Sequence, residues 1–156
     1  MPSLASRYIE VCIFKFEKDR PHYLLLHRSN DEKVYPGLWQ FVTGSIDPNE
    51  TAIAAALREL NEETGLAPVG MWVVPYVNTF YDERRDVINL SPVFAVQVKS
   101  GATPRLSDEH QQFDWLIYEE GRRRLVWPGQ QEGLRIVHEF IVGCKEAAKH
   151  AKIRAF

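Results

Sequence analysis

Three glutamates packed into five positions carry the chemistry suggested by this sequence. Glu59, Glu62 and Glu63 stand three and four residues apart, so on a helix they project from neighbouring positions. At about 100° per residue they share an arc of roughly 100°. Like charges at that spacing repel, by about a few tenths of a kcal/mol per pair. A solvated charged face tolerates that cost, and Arg58, four residues before Glu62, offsets part of it. A divalent cation removes the conflict and gives the cluster a purpose. Carboxylate oxygens are hard ligands for Mg²⁺ or Mn²⁺. An ion held there polarises a phosphoryl oxygen, lowers the pKa of a bound water and clamps a leaving group. On the helix alone both readings stand.

The elements around the cluster must position it. Thr51 reads as the helix N-cap and Gly65 as the residue just past its end. Between them Ile53, Ala56, Leu57 and Leu60 repeat at helical spacing and predict a core face about 120° from the glutamates, which leaves Glu63 unburied. Upstream, Tyr8 to Phe16 and His22 to His27 are rich in β-formers and flank the polar stretch Glu17 to Pro21, a hairpin pattern. Tyr35-Pro36-Gly37 is a turn signal before a short apolar strand, Leu38 to Thr43. Downstream, Met71 to Phe80, Val87 to Val98 and Gln112 to Ile117 read as strands, with Pro75 and Pro92 marking edges or bulges. A long helix is expected over Gln130 to Ala151, with Leu134, Val137, Ile141, Cys144 and Ala148 as its apolar stripe. This order predicts an α/β fold, a mixed sheet with helices on its faces.

The chain has 156 residues, 45% hydrophobic and 26% charged, which suits one domain over residues 1–156. The net charge of −2 argues against a general nucleic-acid binder. The two cysteines, Cys12 and Cys144, lie far apart in apolar stretches and read as reduced core thiols. No run of 18 apolar residues offers a membrane span, and Met1 to Arg7 has no apolar signal segment. The expectation is a soluble, cytoplasmic protein with no membrane or nucleic-acid polymer as partner. A homodimer remains an open arrangement.

The segment from Gly44 to Leu66 resembles the Nudix box, G-x5-E-x7-R-E-U-x-E-E-x-G-U, where U is a bulky apolar residue. Gly44, Glu50, Arg58, Glu59, Leu60, Glu62, Glu63, Gly65 and Leu66 match every specified position. At average residue usage the chance of this anywhere in the chain is about 10⁻⁷. The resemblance implies the α/β/α Nudix fold and a hydrolase dependent on Mg²⁺, for which Mn²⁺ substitutes. It implies Glu59 and Glu63 as principal metal ligands, with the Gly44 carbonyl completing the set. Glu62 corresponds to a further ligand or the group that activates water. Glu50 and Arg58 match positions that orient loop and helix by salt bridging, and Arg58 is grouped with the catalytic candidates Glu62 and Glu109.

Trp39-Gln40-Phe41-Val42-Thr43-Gly44-Ser45, and Glu109 to Leu116 with its E-H-x-x-x-x-W-L pattern, are similar to dihydroneopterin triphosphate pyrophosphatases and related dATP-cleaving enzymes. Diadenosine tetraphosphate hydrolases share some of these features. Glu109 is expected opposite the box helix as base or ligand, the alternative being an ordinary loop glutamate. His110 reads as a structural hydrogen-bonder. For substrate, Arg28 and the pair Arg84 and Arg85 are the phosphate candidates, although Arg84 and Arg85 also suit a mixed-charge hairpin loop. Trp39, Phe80 and Tyr81 are candidates to stack a base or pterin. Arg122 to Arg124 reads as solvated surface. The implied reaction converts a nucleoside or pterin triphosphate to a monophosphate plus pyrophosphate. The alternatives are asymmetric cleavage of a dinucleoside polyphosphate and a catalytically inactive nucleotide-binding regulator.

Overall fold

The computed structural model describes residues 1–154 and 156. An eight-stranded mixed sheet forms the middle layer. Its strands are β1 (Ser3–Ala5), β2 (Tyr8–Glu17), β3 (Arg20–Arg28), β4 (Trp39–Gln40), β5 (Val42–Ser45), β6 (Gly70–Asp82), β7 (Val87–Gln97) and β8 (His110–Leu116). The path β1-β7-β2-β3-β4 runs across it, with β6 on β7, β5 on β2 and β8 on β3. β2 is central. It pairs in parallel with β7 from Glu10 to Phe14 and antiparallel with β3 and β5. It is buried on both faces from Ile9 to Lys15, which explains its nearly unbroken apolar run.

Side-chain alternation splits the core in two. Ile9, Val11 and Ile13 pack with Leu24, Leu26 and Leu60 beneath helix α1 (Ala52–Thr64). Cys12 and Phe14 face the other way, with Tyr23, Phe41 and Leu134, under helices α2 (Tyr118–Arg124), α3 (Pro128–Ile136) and α4 (Lys145–Ala151). The α/β/α layering predicted by the element order is present.

Local signals explain most boundaries. The β2–β3 hairpin turns through Lys18 and Asp19, both at positive φ, as a tight two-residue connection of right-handed strands requires. Thr51 Oγ1 accepts from the Ala54 N–H at 3.2 Å, and Gly65, in the left-handed region, donates its N–H to the Asn61 carbonyl at 2.8 Å. Pro75 falls in the register shift between Val73 and Val77.

Two expectations change. The strand expected over Leu38 to Thr43 divides at buried Phe41, because β4 pairs with β3 while β5 crosses to β2. Tyr118 to Arg124, given no element above, forms a helix, and Arg122 and Arg123 are exposed on it as expected. The long C-terminal helix is broken. After α3 a π-helical turn spans Val137–Val142, the Gly143 N–H reaches the His138 carbonyl five residues back at 2.9 Å, and Cys144 is extended before α4 starts. The apolar stripe therefore holds through Leu134, Val137 and Ile141 and loses its phase at Cys144.

Leu60 anchors α1 with a side chain almost wholly buried. Leu60→Ala is expected to cost about 2–5 kcal/mol, the usual range for a core leucine. A fall in the denaturant midpoint at unchanged m-value measures it. A loss below about 1 kcal/mol would show that α1 does not rest on this residue.

Candidate active site

The box loop and α1 are tied together by one guanidinium. Arg58 Nε and Nη2 donate to the two Glu50 oxygens, each at 2.9 Å. Nη2 also donates to the Ser45 carbonyl at 2.8 Å, and Nη1 to Glu59 at 2.7 Å and Glu62 at 3.3 Å. Glu50 in turn accepts the Asp47 N–H at 3.0 Å. Planar forked pairing of this kind fixes geometry as well as charge. The Arg58 hydrogen bonds hold the Glu50 carboxyl below the usual carboxylate range. Arg58 is thus a positioning residue: it aims Glu59 and the loop.

Gly44 is where loop and helix meet most closely. A Cβ on it would lie 2.1 Å from the Glu59 carboxyl carbon, so only glycine lets the Glu59 carboxylate lie against the loop backbone.

Glu63 departs from expectation. It is 4% exposed, because it lies three residues after Leu60 and seven after Ala56, on the buried stripe itself. Among the described residues its Oε2 has no hydrogen-bond partner, and the His110 Nδ1, also without one, is 3.9 Å away. Burial first, then the charges of Glu109 and Glu59, push the Glu63 carboxyl up to about 9, with Arg28 pulling the other way. Burial also raises Glu59, against the pull of Arg58. His110 is pushed down to about 4, by burial and then by Arg28 and His27. It sits neutral beside Gln40, with their side-chain nitrogens 3.4 Å apart.

Glu59, Glu63, the Gly44 loop, Glu109 and Arg28 line one cavity of roughly 1540 Å³. Glu109 reaches it from the turn before β8, on the wall provided by β3 and β8. Arg28 is held there by the Val34 carbonyl at 2.9 Å and Glu32 at 3.2 Å. Tyr81, Arg84 and Arg85 enter from the β6–β7 hairpin, where Tyr81 donates to Asp86 and Arg85 pairs with Asp82.

Three candidate residues, Arg58, Glu62 and Trp39, do not line the cavity. Glu62 is exposed and turned toward Arg58. Trp39 is stacked on His27, with centroids 4.6 Å apart and planes 4° from parallel, and carries the Arg124 guanidinium 4.7 Å above its ring. Its aromatic surface is already covered by protein. Tyr35 and Trp127 line the cavity instead, edge to face at 5.1 Å. A further carboxylate went unforeseen. Glu10, buried among apolar residues of β2, also borders the cavity and accepts a 2.7 Å hydrogen bond from Asn78.

A NUDIX domain model matches residues 7–139. The chain belongs to the Nudix family. Relatives include an octanoyltransferase of Myxococcus xanthus, 30% identical over 136 residues, a match that covers 83% of this chain and 36% of that protein. The chain thus spans about a third of that relative's length. The nucleoside triphosphatase NudI of Klebsiella pneumoniae is 26% identical over 106 residues, 64% of this chain and 75% of that one. Among solved structures, a Caenorhabditis elegans Ap4A hydrolase superposes with a TM-score of 0.73 at 21% identity, covering 89% of this chain and 99% of that chain. The Escherichia coli dihydroneopterin triphosphate pyrophosphohydrolase superposes with 0.67 at 21%, covering 86% and 96%. At such identity the structures establish a shared Nudix fold.

Nudix hydrolases generally use divalent metal ions, and the residues here fit one. Among the described residues no three carboxylate, imidazole or thiol groups already converge at ligand spacing. Yet the Glu63 oxygen is buried without a partner, Gly44 leaves room beside Glu59, and the donors are hard oxygens.

Glu10 makes the site pH-sensitive. Burial, against the Asn78 hydrogen bond, raises its carboxyl from 4.5 to about 7. A raised folded-state value means that this group's contribution to stability is complete below about 4.5 and is lost as pH rises through about 7. The melting temperature in EDTA is expected to fall between pH 5 and pH 7.5, and to fall less in Glu10→Gln. Equal slopes in the two proteins would contradict the assignment.

Proposed function

We propose that this Nudix domain is an Mg²⁺-dependent pyrophosphohydrolase that cleaves the diphosphate linkage of a nucleoside or pterin triphosphate, releasing a monophosphate and pyrophosphate. The observation that carries the reading is that Glu59, Glu63 and Glu109 line one cavity together with the cation Arg28. Glu59, Glu63 and the Gly44 carbonyl would hold the ion, which when bound neutralises charge on the phosphates and assists departure of the leaving group.

The chain's own residues do the rest. Arg58 fixes Glu59 against the loop through its hydrogen bonds to Glu50 and Ser45. Arg28, whose guanidinium is anchored on the Val34 carbonyl, meets phosphate oxygens, and Arg84 and Arg85 supply positive charge at the open rim. Glu109, exposed in its turn, accepts the proton of the attacking water. Its position on a loop suits closure over bound substrate. Glu62 acts through Arg58 rather than on the substrate.

A second reading is favoured by the size of the cavity and by its two aromatic groups, Tyr35 with Trp127 and Tyr8 with Phe80. Two such groups could seat the two bases of a dinucleoside polyphosphate. Release of ATP and AMP from diadenosine tetraphosphate would select it.

Turnover is expected to require Mg²⁺ or Mn²⁺. Activity undiminished in excess EDTA would sink the mechanism. Glu63→Gln should lower kcat by at least about 10²-fold, the scale of losing a catalytic electrostatic group, while the melting temperature in EDTA is held or raised because a buried acid among like charges becomes an amide. Near wild-type turnover would remove Glu63 from the site.

A further inference from the structure

On the sheet face turned away from the box helix, the cavity is lined by buried oxygens without a partner among the described residues. Glu10 Oε2, Ser91 Oγ and Gln130 Oε1 have no hydrogen-bond partner among the described residues. Their residues are 6%, 0% and 4% exposed, and all three line the cavity. Buried polar atoms are normally paired, so three orphans on one wall are a demand that a ligand can meet.

The sheet sets them in a row. Asn78 of β6 is opposite Ser91 of β7, and Glu10 of β2 is opposite Val93, two residues further along β7. Residues two apart on a strand share a face, so Asn78, Ser91 and Glu10 cross three neighbouring strands beneath α3, which contributes Gln130. Asn78 is locked between its 2.7 Å bond to Glu10 and the backbone of Gly129, where a Cβ would come within 2.0 Å of its side-chain oxygen. Trp127, three residues before Gln130, lines the same cavity and offers a stacking face.

The chemistry of the row selects a ligand edge. The carboxylate accepts a forked pair of N–H groups, as it does from arginine. Adenine and cytosine present one amino donor beside a ring acceptor, and uracil presents one N–H between two carbonyls. Guanine and pterin rings both carry the 2-amino-4-oxopyrimidine unit, with a ring N–H and an amino group side by side. Resting on the triphosphate reading above, we propose that Glu10, with Ser91 and Gln130, forms a specificity site for the 2-amino-4-oxopyrimidine ring of a guanine nucleotide or pterin triphosphate.

Equilibrium binding of the non-hydrolysable α,β-methylene triphosphates of guanosine, inosine and adenosine tests this without turnover. Inosine lacks only the amino group. The guanosine compound is expected to bind at least about 10-fold more tightly than the inosine compound, about 1.4 kcal/mol, with adenosine weaker still. Sites built to hydrogen-bond a donor reject analogues that lack it. Glu10→Gln should reduce the guanosine preference to below about twofold, and Ser91→Ala, which removes one buried oxygen, should reduce it in part and decides the matter if Glu10→Gln fails to fold. A second arm competes dihydroneopterin triphosphate, in EDTA to prevent turnover, against the guanosine compound. The winner names the source of the ring, and because both rings carry the same unit Glu10→Gln should weaken the two alike relative to the inosine compound, whereas weakening of neither would overturn the site. Equal binding of guanosine and inosine by the wild type would overturn the inference. So would a folded Glu10→Gln that still discriminates, or one that weakens all ligands alike. A protein that prefers guanosine but releases no pyrophosphate with Mg²⁺ overturns only the hydrolytic reading.

Discussion

The site depends on crowding negative charge where water is scarce. Glu63 is carried into the protein by the stripe that packs α1 on the sheet, and Glu59 and Glu109 stand close enough for their charges to act on it. The nearby cation Arg28 answers part of that charge, while Arg58 is spent on Glu50, Glu59 and Glu62. Such a cluster settles by taking up a proton or by taking up a cation. A proton costs nothing in geometry. A divalent ion is the better answer only when a phosphate supplies the remaining oxygens. On the proposed reading, the polyphosphate substrate supplies those oxygens.

The frame around the cluster is built for stillness. The Arg58 fork joins loop to helix, Gly44 lets the backbone touch Glu59, and central strand β2 is pinned on both edges. Another part of the lining comes from α3 and the β6–β7 hairpin, from which Gln130, Tyr81 and Arg84 reach the cavity. On the proposed reading, the box sets the bond that is cleaved while these neighbouring side chains set what is attached to it.

Much of this was legible in the sequence. The box helix announced itself through Thr51, Gly65 and its apolar period, and the element order implied the layering. Glu63 was misplaced because the expected core face, Ile53, Ala56, Leu57 and Leu60, included Ile53 and Leu57, which are only partly buried, and left out Ala55, which with Ala56 and Leu60 sets the buried stripe. Small alanines bring the helix close and roll it toward Glu63. Glu10 escaped notice because a lone carboxylate inside an apolar strand gives no local signal; its meaning comes from Asn78, 68 residues away. Trp39 looked free for stacking because sequence cannot show that His27 and Arg124 cover it. The C-terminal helix kept its apolar period on paper, but the π-helical turn inserted a residue's worth of phase. Distant partners, not local propensity, decided Glu10 and Trp39.

The central claim is that Glu59 and Glu63, not the whole acidic helix face, hold the divalent ion. Titration of Mn²⁺ into the protein, followed by electron paramagnetic resonance of the free ion, tests it directly with Glu59→Gln, Glu63→Gln and Glu62→Gln beside the wild type. The account predicts at least about a 10-fold loss of affinity, about 1.4 kcal/mol, in the first two and less than about twofold in Glu62→Gln. Mn²⁺ affinity that is unchanged in Glu59→Gln and Glu63→Gln, or that collapses only in Glu62→Gln, would contradict it.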